Sequence, residues 1–316
     1  MDSSALRAPH EIESSPSSSN YEWTWPIAPP KESDPDQVYT DLNAHSNQVG
    51  APVPRRSLSL AGELDATWYQ GRGVFGGFTA ALTLDAMMRL EPTRPPRSLT
   101  IFCSAPAYAG PARLEASVER QGRRVSHLSA RLYSAESPKL LDGSSNLALS
   151  VFAGASFGLT RDFVLSVPKL IPPVVPPPEE VAEVPKDLTM MPAFYNHFSY
   201  RFCIGSPPYT GASEPVMGGW CDVRAEGPIT YPLIAALLDA WAPAACASIS
   251  EPTVAASLDF SYHFLVTPEE LATLQRPFLY RGEVLHASEG YLEERDCLWD
   301  RTGRLVATAR QMIAIS

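Results

Sequence analysis

One pattern occurs twice in this chain and limits what it can fold into. It is a short apolar helix carrying a single acid, followed by alternating strands and no further long helix. The later copy reads Thr230-Tyr231-Pro232-Leu233-Ile234-Ala235-Ala236-Leu237-Leu238-Asp239-Ala240-Trp241-Ala242-Pro243. Thr230 is a capping residue, Pro232 sits in the first turn where a missing N–H costs little, and Pro243 ends the helix. Apolar residues occur on every side, so protein must enclose this helix. Asp239 is its only charge, and a buried carboxylate is expensive unless it is paired or used.

The earlier copy, Ala81-Leu82-Thr83-Leu84-Asp85-Ala86, echoes Ala235-Ala236-Leu237-Leu238-Asp239-Ala240 and predicts a buried helix from about Phe75 to Leu90. Strand patterns follow it at 98–102, 112–120, 125–133 and 146–152. They follow the second helix at 255–264, 278–287, 290–299 and 305–315. The copies lie about 155 residues apart, too far for a solenoid repeat and suited to a duplicated domain. Four pieces result. Residues 1–54 are rich in Ser, Pro and acids and are expected to be mostly disordered. A first unit spans 55–155, a Pro-rich connector 156–197 and a second unit 198–316. The run Pro172-Pro173-Val174-Val175-Pro176-Pro177-Pro178 excludes regular helix and central strand, so the connector should run extended over the surface.

Face assignments in the last strands carry the chemistry. Leu305, Ala307, Ala309, Gln311, Ile313 and Ile315 share one face, and Gln311 is its single polar member. That face should look at the helix. In 255–264, alternation groups Ser257, Asp259, Ser261 and His263 against Leu258, Phe260, Tyr262 and Phe264. An acid from a buried helix, a hydroxyl from one strand and an amide from another can converge on one water.

Charge and cysteines narrow the function. The formal net charge of −10 argues against nucleic acid or an anionic membrane as the main partner. The five cysteines are scattered, with no C-x-x-C pair, which points to reduced thiols in a cytoplasmic protein and to no metal site. No apolar run reaches membrane-spanning length, and no secretory leader is legible.

Several stretches together resemble the acyl-CoA thioesterase II group of the thioesterase-like superfamily. They are Phe75-Gly76-Gly77-Phe78, Arg97-Ser98-Leu99-Thr100, Gly110-Pro111-Ala112, Gly122-Arg123-Arg124-Val125-Ser126, Leu237-Leu238-Asp239, Ala256-Ser257-Leu258-Asp259, Leu298-Trp299-Asp300 and Gly303-Arg304-Leu305-Val306-Ala307 with Gln311. The resemblance covers residues 60–155 and 198–316. It implies an α+β double hotdog, two long buried helices each wrapped by an antiparallel β-sheet. It also implies a catalytic trio of Asp239, Ser257 and Gln311. Ser257 stands where Thr is commoner in the family, keeping the hydroxyl and losing the stiffening methyl.

The residue types suit direct attack of water on a thioester. Asp239 takes the water's proton, while Ser257 and Gln311 hold and aim the water. Gly76 and Gly77 open the first helix, where free N–H groups and the helix dipole suit a developing oxyanion. Arg123 and Arg124 are candidates for a coenzyme A tail, although hairpin arginines are commonly just solvated. No cofactor and no metal are implied. The expected partner is a small acyl thioester, coenzyme A-linked or carrier-bound, and the oligomeric state stays open between monomer and homo-oligomer.

Plainer readings stand beside these. A lone Asp on an apolar helix also serves as a structural acid. Ser257 alone is an ordinary strand hydroxyl, and Gln311 alone satisfies a neighbouring backbone group. Asp259 is a competing carboxylate, read as a solvated outer-face residue. Asp85, Ser98 and Asn146 occupy loosely equivalent places in the first unit and read as relic symmetry. His127, His263 and His286 receive no role. Two other function classes remain: a biosynthetic enzyme of the same fold acting on a carrier-bound or polyketide intermediate, as acyltransferase, cyclase or dehydratase, and a non-catalytic acyl-binding protein.

Overall fold

The computed structural model describes residues 56–136, 146–163, 165–186, 188–189 and 191–315. The expected N-terminal extension, residues 1–54, lies outside the described residues. The first half holds β1 (Ser57–Leu64), the short β2 (Tyr69–Gln70) and β3 (Gly73–Val74), α1 (Gly76–Leu90), β4 (Pro96–Cys103), β5 (Gly110–Gln121), β6 (Val125–Ala135) and β7 (Leu147–Gly158). The second holds β8 (Phe198–Gly205), β9 (Val216–Val223), α2 (Tyr231–Leu238), β10 (Ala255–Phe264), α3 (Pro268–Leu271), β11 (Phe278–Ser288), β12 (Tyr291–Trp299) and β13 (Leu305–Ile315).

One eleven-stranded antiparallel sheet runs through both halves in the order β1-β5-β6-β7-β4-β10-β13-β12-β11-β9-β8. The first half contributes β1-β5-β6-β7-β4, and the second repeats that order as β9-β11-β12-β13-β10, with β8 added outside. The halves are joined by β4 and β10, where Thr100 faces Ser261 and Ile101 faces Phe260. α1 and α2 pack against each other, and one continuous apolar core surrounds both. No helix among the described residues is long and apolar enough to cross a membrane.

Three expectations are corrected. The helices are unequal: α1 has fifteen residues and α2 only eight. Asp239 is the C-cap of α2 and not an interior residue. Pro243 supplies the reason, because its ring would collide with the Asp239 carbonyl four residues earlier in a continued helix. The chain instead tightens, with the Asp239 and Ala240 N–H groups bonding the Ala236 and Leu237 carbonyls at 3.3 and 3.4 Å.

The second correction is a whole strand. β9, Val-Met-Gly-Gly-Trp-Cys-Asp-Val, does not read as a strand because Gly218 and Gly219 interrupt it. Close approach explains them: a Cβ on Gly218 would lie 2.2 Å from the Tyr280 carbonyl oxygen, and one on Gly219 2.0 Å from that of Arg201.

The third is a change of face. β10 carries a bulge against β13 between Ser257 and Asp259. Ser257 pairs with Ile313 and Phe260 with Gln311, so the alternation shifts by one residue and Ser257 joins the inner face. Leu258, which alternation groups with the buried Phe260, Tyr262 and Phe264, is 43 % exposed.

The connector behaves as the prolines dictate, although β7 continues to Gly158 before it begins. It crosses the outer face of the second half without regular structure over residues 165–177. The Trp220 indole N–H donates to the Pro176 carbonyl at 2.9 Å, and that of Trp299 to the Leu170 carbonyl at 3.2 Å. Val175 and Val181 pack on Ile204, Trp220, Leu279, Cys297 and Trp299, a cluster that would otherwise face water.

Candidate active site

The start of α1 and the end of α2 meet. Phe75, the residue before α1, makes no side-chain cap, so the first N–H groups of α1 are left for other partners. The Gly77 N–H bonds the Asp239 carboxylate. Glycine is what permits this contact. A Cβ on Gly76 would lie 2.7 Å from Asp239 Oδ2, and one on Gly77 3.0 Å from the Ala236 carbonyl oxygen. Asp239 therefore sits between the negative end of its own helix and the positive end of α1. The residue is half-buried. Burial, opposed by the Gly77 N–H and helped by the Glu294 carboxylate, pushes its carboxyl up to about 8.

Ser257 and Gln311 meet on the inner face of the sheet. The Ser257 hydroxyl donates to Gln311 Oε1 at 2.8 Å. Gln311 is 5 % exposed, and its Nε2 donates to Glu294 Oε1 at 3.3 Å. The other Glu294 oxygen accepts the Ala244 N–H at 2.6 Å. Ala244 lies five residues beyond Asp239, in the single 3-10 turn that follows Pro243. A chain of hydrogen bonds thus runs from Ser257 through Gln311 and Glu294 to the segment that carries Asp239.

Sequence reasoning missed Glu294 and its neighbour Asp296, both completely buried. The signal was present. In Leu292-Glu293-Glu294-Arg295-Asp296-Cys297-Leu298, the leucines set an inner face that includes both acids. The Tyr280 hydroxyl donates to Asp296 Oδ1 at 2.6 Å. Burial raises both carboxyls. The charge of Glu294 pushes Asp296 further, well above the carboxylate range, so Asp296 is the member that keeps a proton. Cys103, at the end of β4, borders the same space: burial first, then Asp239 and Asp259, push its thiol up to about 12.

The other candidates lie apart. Arg123 and Arg124 are exposed in the β5–β6 hairpin, whose Gly122 carbonyl accepts from Arg94 at 3.2 Å. Arg94 pairs with Glu91, the C-cap of α1, so this hairpin lies at the far end of α1. Fifteen helical residues, about 22 Å, separate the two ends. Asp259 is half-buried on the face where Thr100 and Ser261 share a hydrogen bond of 2.9 Å, away from Phe260 and Tyr262. In the first half, Arg89 Nε donates to Asp85 Oδ2 at 2.8 Å inside the same helix. Ser98 faces Ser156 and His263 in the sheet, and Asn146 is exposed. His127, His263 and His286 are exposed. Among the described residues, no group of three or more His, Cys, Asp or Glu is arranged to hold a metal ion.

Comparison with known proteins bears on the fold and the family. A family model described as the acyl-CoA thioesterase N-terminal domain matches residues 64–153, and one described as the C-terminal domain matches residues 175–315. A conserved protein of unknown function with a hot dog fold from Alicyclobacillus acidocaldarius superposes with a TM-score of 0.71 at 25 % identity, covering 82 % of this chain and 93 % of that one. A putative thioesterase II from Thermobifida fusca YX gives a TM-score of 0.66 at 18 % identity, covering 82 % and 92 %. An acyl-CoA thioesterase II from Mycobacterium marinum gives 0.60 at 17 % identity, covering 82 % and 93 %. No curated protein matches the sequence.

Proposed function

The chain belongs to the acyl-CoA thioesterase family, and from that premise we propose that it is a cytoplasmic double hotdog hydrolysing an acyl-CoA-like thioester by Asp239-activated water. The observation that carries the reading is the position of Asp239: half-buried, facing the open start of α1, with only another carboxylate as its charged neighbour among the causes that shift it. A raised carboxyl at a partly exposed position is what a general base needs near neutral pH.

In the reaction, Ser257 and Gln311 orient one water towards the thioester carbonyl. Its oxygen attacks the carbonyl carbon as Asp239 takes one proton. The negative charge that develops on the carbonyl oxygen meets the first turn of α1. Gly77 is already engaged with Asp239, so the Gly76 N–H is the better placed donor. The C–S bond then breaks, and the thiolate takes the proton back from Asp239. Every step uses groups of this chain and water, without a covalent intermediate.

The test is thiol release from a panel of acyl-CoAs, short to long, with wild type and Asp239→Asn side by side. Thiol and free acid released by wild type and lost in the variant support the reading. No release from any acyl-CoA by folded protein overturns it, in favour of a carrier-bound substrate or binding without turnover.

A further inference from the structure

We propose that Glu294 is the positioning residue of this site, holding the Gln311 amide in the orientation that makes Ser257 a donor and tying it to the chain that bears Asp239. The inference rests on the reading of Asp239, Ser257 and Gln311 as the hydrolytic trio and adds a fourth group to it.

The argument is one of hydrogen-bond polarity. Both Glu294 oxygens accept: Oε1 from Gln311 Nε2 at 3.3 Å and Oε2 from Ala244 N–H at 2.6 Å. Only a carboxylate accepts at both ends without turning. Because Nε2 is committed to Glu294, Oε1 of Gln311 must face Ser257, and the Ser257 hydroxyl proton is drawn to it at 2.8 Å. The Ser257 lone pairs are then left to accept from the attacking water. Glu294 is fully buried and belongs to neither side of that bond, so it acts through Gln311.

Other groups around Glu294 support a charged form. Asp296 on the same strand stays protonated and is itself held by Tyr280 from β11. Burial raises Glu294 itself to about 7, and the N–H of Ala244 and the amide of Gln311 favour its charged form. The pair Glu294–Asp296 therefore divides one charge and one proton, as close buried carboxyls do.

Glu294→Gln reverses the polarity at nearly constant volume. Its amide oxygen still accepts from Ala244, but its NH2 now meets the Gln311 NH2, and Gln311 must flip and offer Nε2 to Ser257. The expected result is a kcat reduced about 10-fold or more, in the range of lost orientation, with KM little changed. The rising limb of kcat/KM, set by Asp239, should move to lower pH, because a negative neighbour has gone. A residue that merely filled space would leave that limb in place. A wild-type kcat with an unmoved limb in folded Glu294→Gln overturns the proposal.

A second measurement needs no variant. The side-chain NH2 resonances of nitrogen-15-labelled Gln311 in the wild-type protein should shift as the buried carboxyl pair titrates. Resonances that stay fixed over that titration overturn the proposal even if the variant does not fold. If wild type hydrolyses no thioester, the hydrolase reading fails on that ground, while the Gln311 signal still decides whether Glu294 holds the amide.

Discussion

The molecule contains the same motif twice and treats its acid in opposite ways. Asp85 and Asp239 end matching stretches of apolar helix. Asp85 lies within α1 and is clamped by Arg89 one turn later, with the Arg89 side chain 2 % exposed. Asp239 ends α2, has the Gly77 N–H as its favourable contact and Glu294 as its repulsive one. The helix starts differ too. Thr230 caps α2 through its own side chain, bonding the Leu233 N–H at 3.2 Å, and Pro232 brings no N–H at all. α1 begins with Gly76-Gly77 and no side-chain cap. The lesson is that a buried acid becomes structural when a cation one helical turn away neutralises it. On the proposed reading, the acid left to take a proton from water is the one that meets only a backbone N–H and another carboxyl.

The comparison breaks most easily at the acids themselves. Asp239→Asn should lower kcat by about 10²- to 10⁴-fold, the range for loss of a general base, while Asp85→Asn leaves turnover near wild type. Steady-state kinetics on the pair decides whether the second acid is a relic. Removing the clamp tests the other side. Arg89→Met leaves a buried carboxylate unpaired and should cost about 3–5 kcal/mol in urea unfolding at neutral pH. The double variant Asp85→Leu/Arg89→Met should regain most of that loss, and failure to regain it would mean that Arg89 stabilises through other contacts.

The glycines separate packing from chemistry. Gly77→Ala drives a methyl against the Phe75 ring and the Ala236 carbonyl and should destabilise by about 1–3 kcal/mol. Gly76→Ala meets only the Asp239 carboxyl, so it should lower kcat about 10-fold by misplacing the base while the melting temperature barely moves. Equal effects of the two substitutions on stability would remove the contrast.

The least conspicuous effect lies in pH. Burial raises Asp239 from its ordinary 3.8 to about 8 in the folded protein. The folded state therefore binds more protons than the unfolded one between about pH 4 and 8. The stability linked to this group is complete below the unfolded value and is lost as pH rises through the folded one. Asp239→Asn should thus gain in melting temperature relative to wild type as pH rises over that interval. Parallel melting curves for wild type and Asp239→Asn across the interval would exclude the raised carboxyl.

Much of this architecture was legible because it is local. Strands β10 and β13 fall at 255–264 and 305–315, where alternation placed them, and α1 begins and ends within a residue of its pattern. The Pro-rich connector runs extended, since its missing N–H groups forbid anything else. Gln311 was readable as the polar member of an apolar face. Glu294 and Asp296 share the alternation of Leu292 and Leu298, but strand charges are usually solvated, and alternation alone does not tell a buried acid from a solvated one.

What alternation alone did not contain is how strands and helices meet. The bulge that turns Ser257 inward exists only in the pairing of β10 with β13, and a one-residue shift exchanges every face beyond it. β9 is a strand because its neighbours come close enough to need Gly218 and Gly219. The bond from Gly77 to Asp239 joins residues 162 positions apart, and the one from Gln311 to Glu294 joins neighbouring strands. By itself, then, the sequence determined the duplication, the period of each element and the stops imposed by proline, because these depend on residues a few positions apart. Tertiary structure alone decided which acid meets a cation and which meets only a backbone N–H and another carboxyl, because the field at a carboxylate is set by whatever group packing brings within a few ångströms of it.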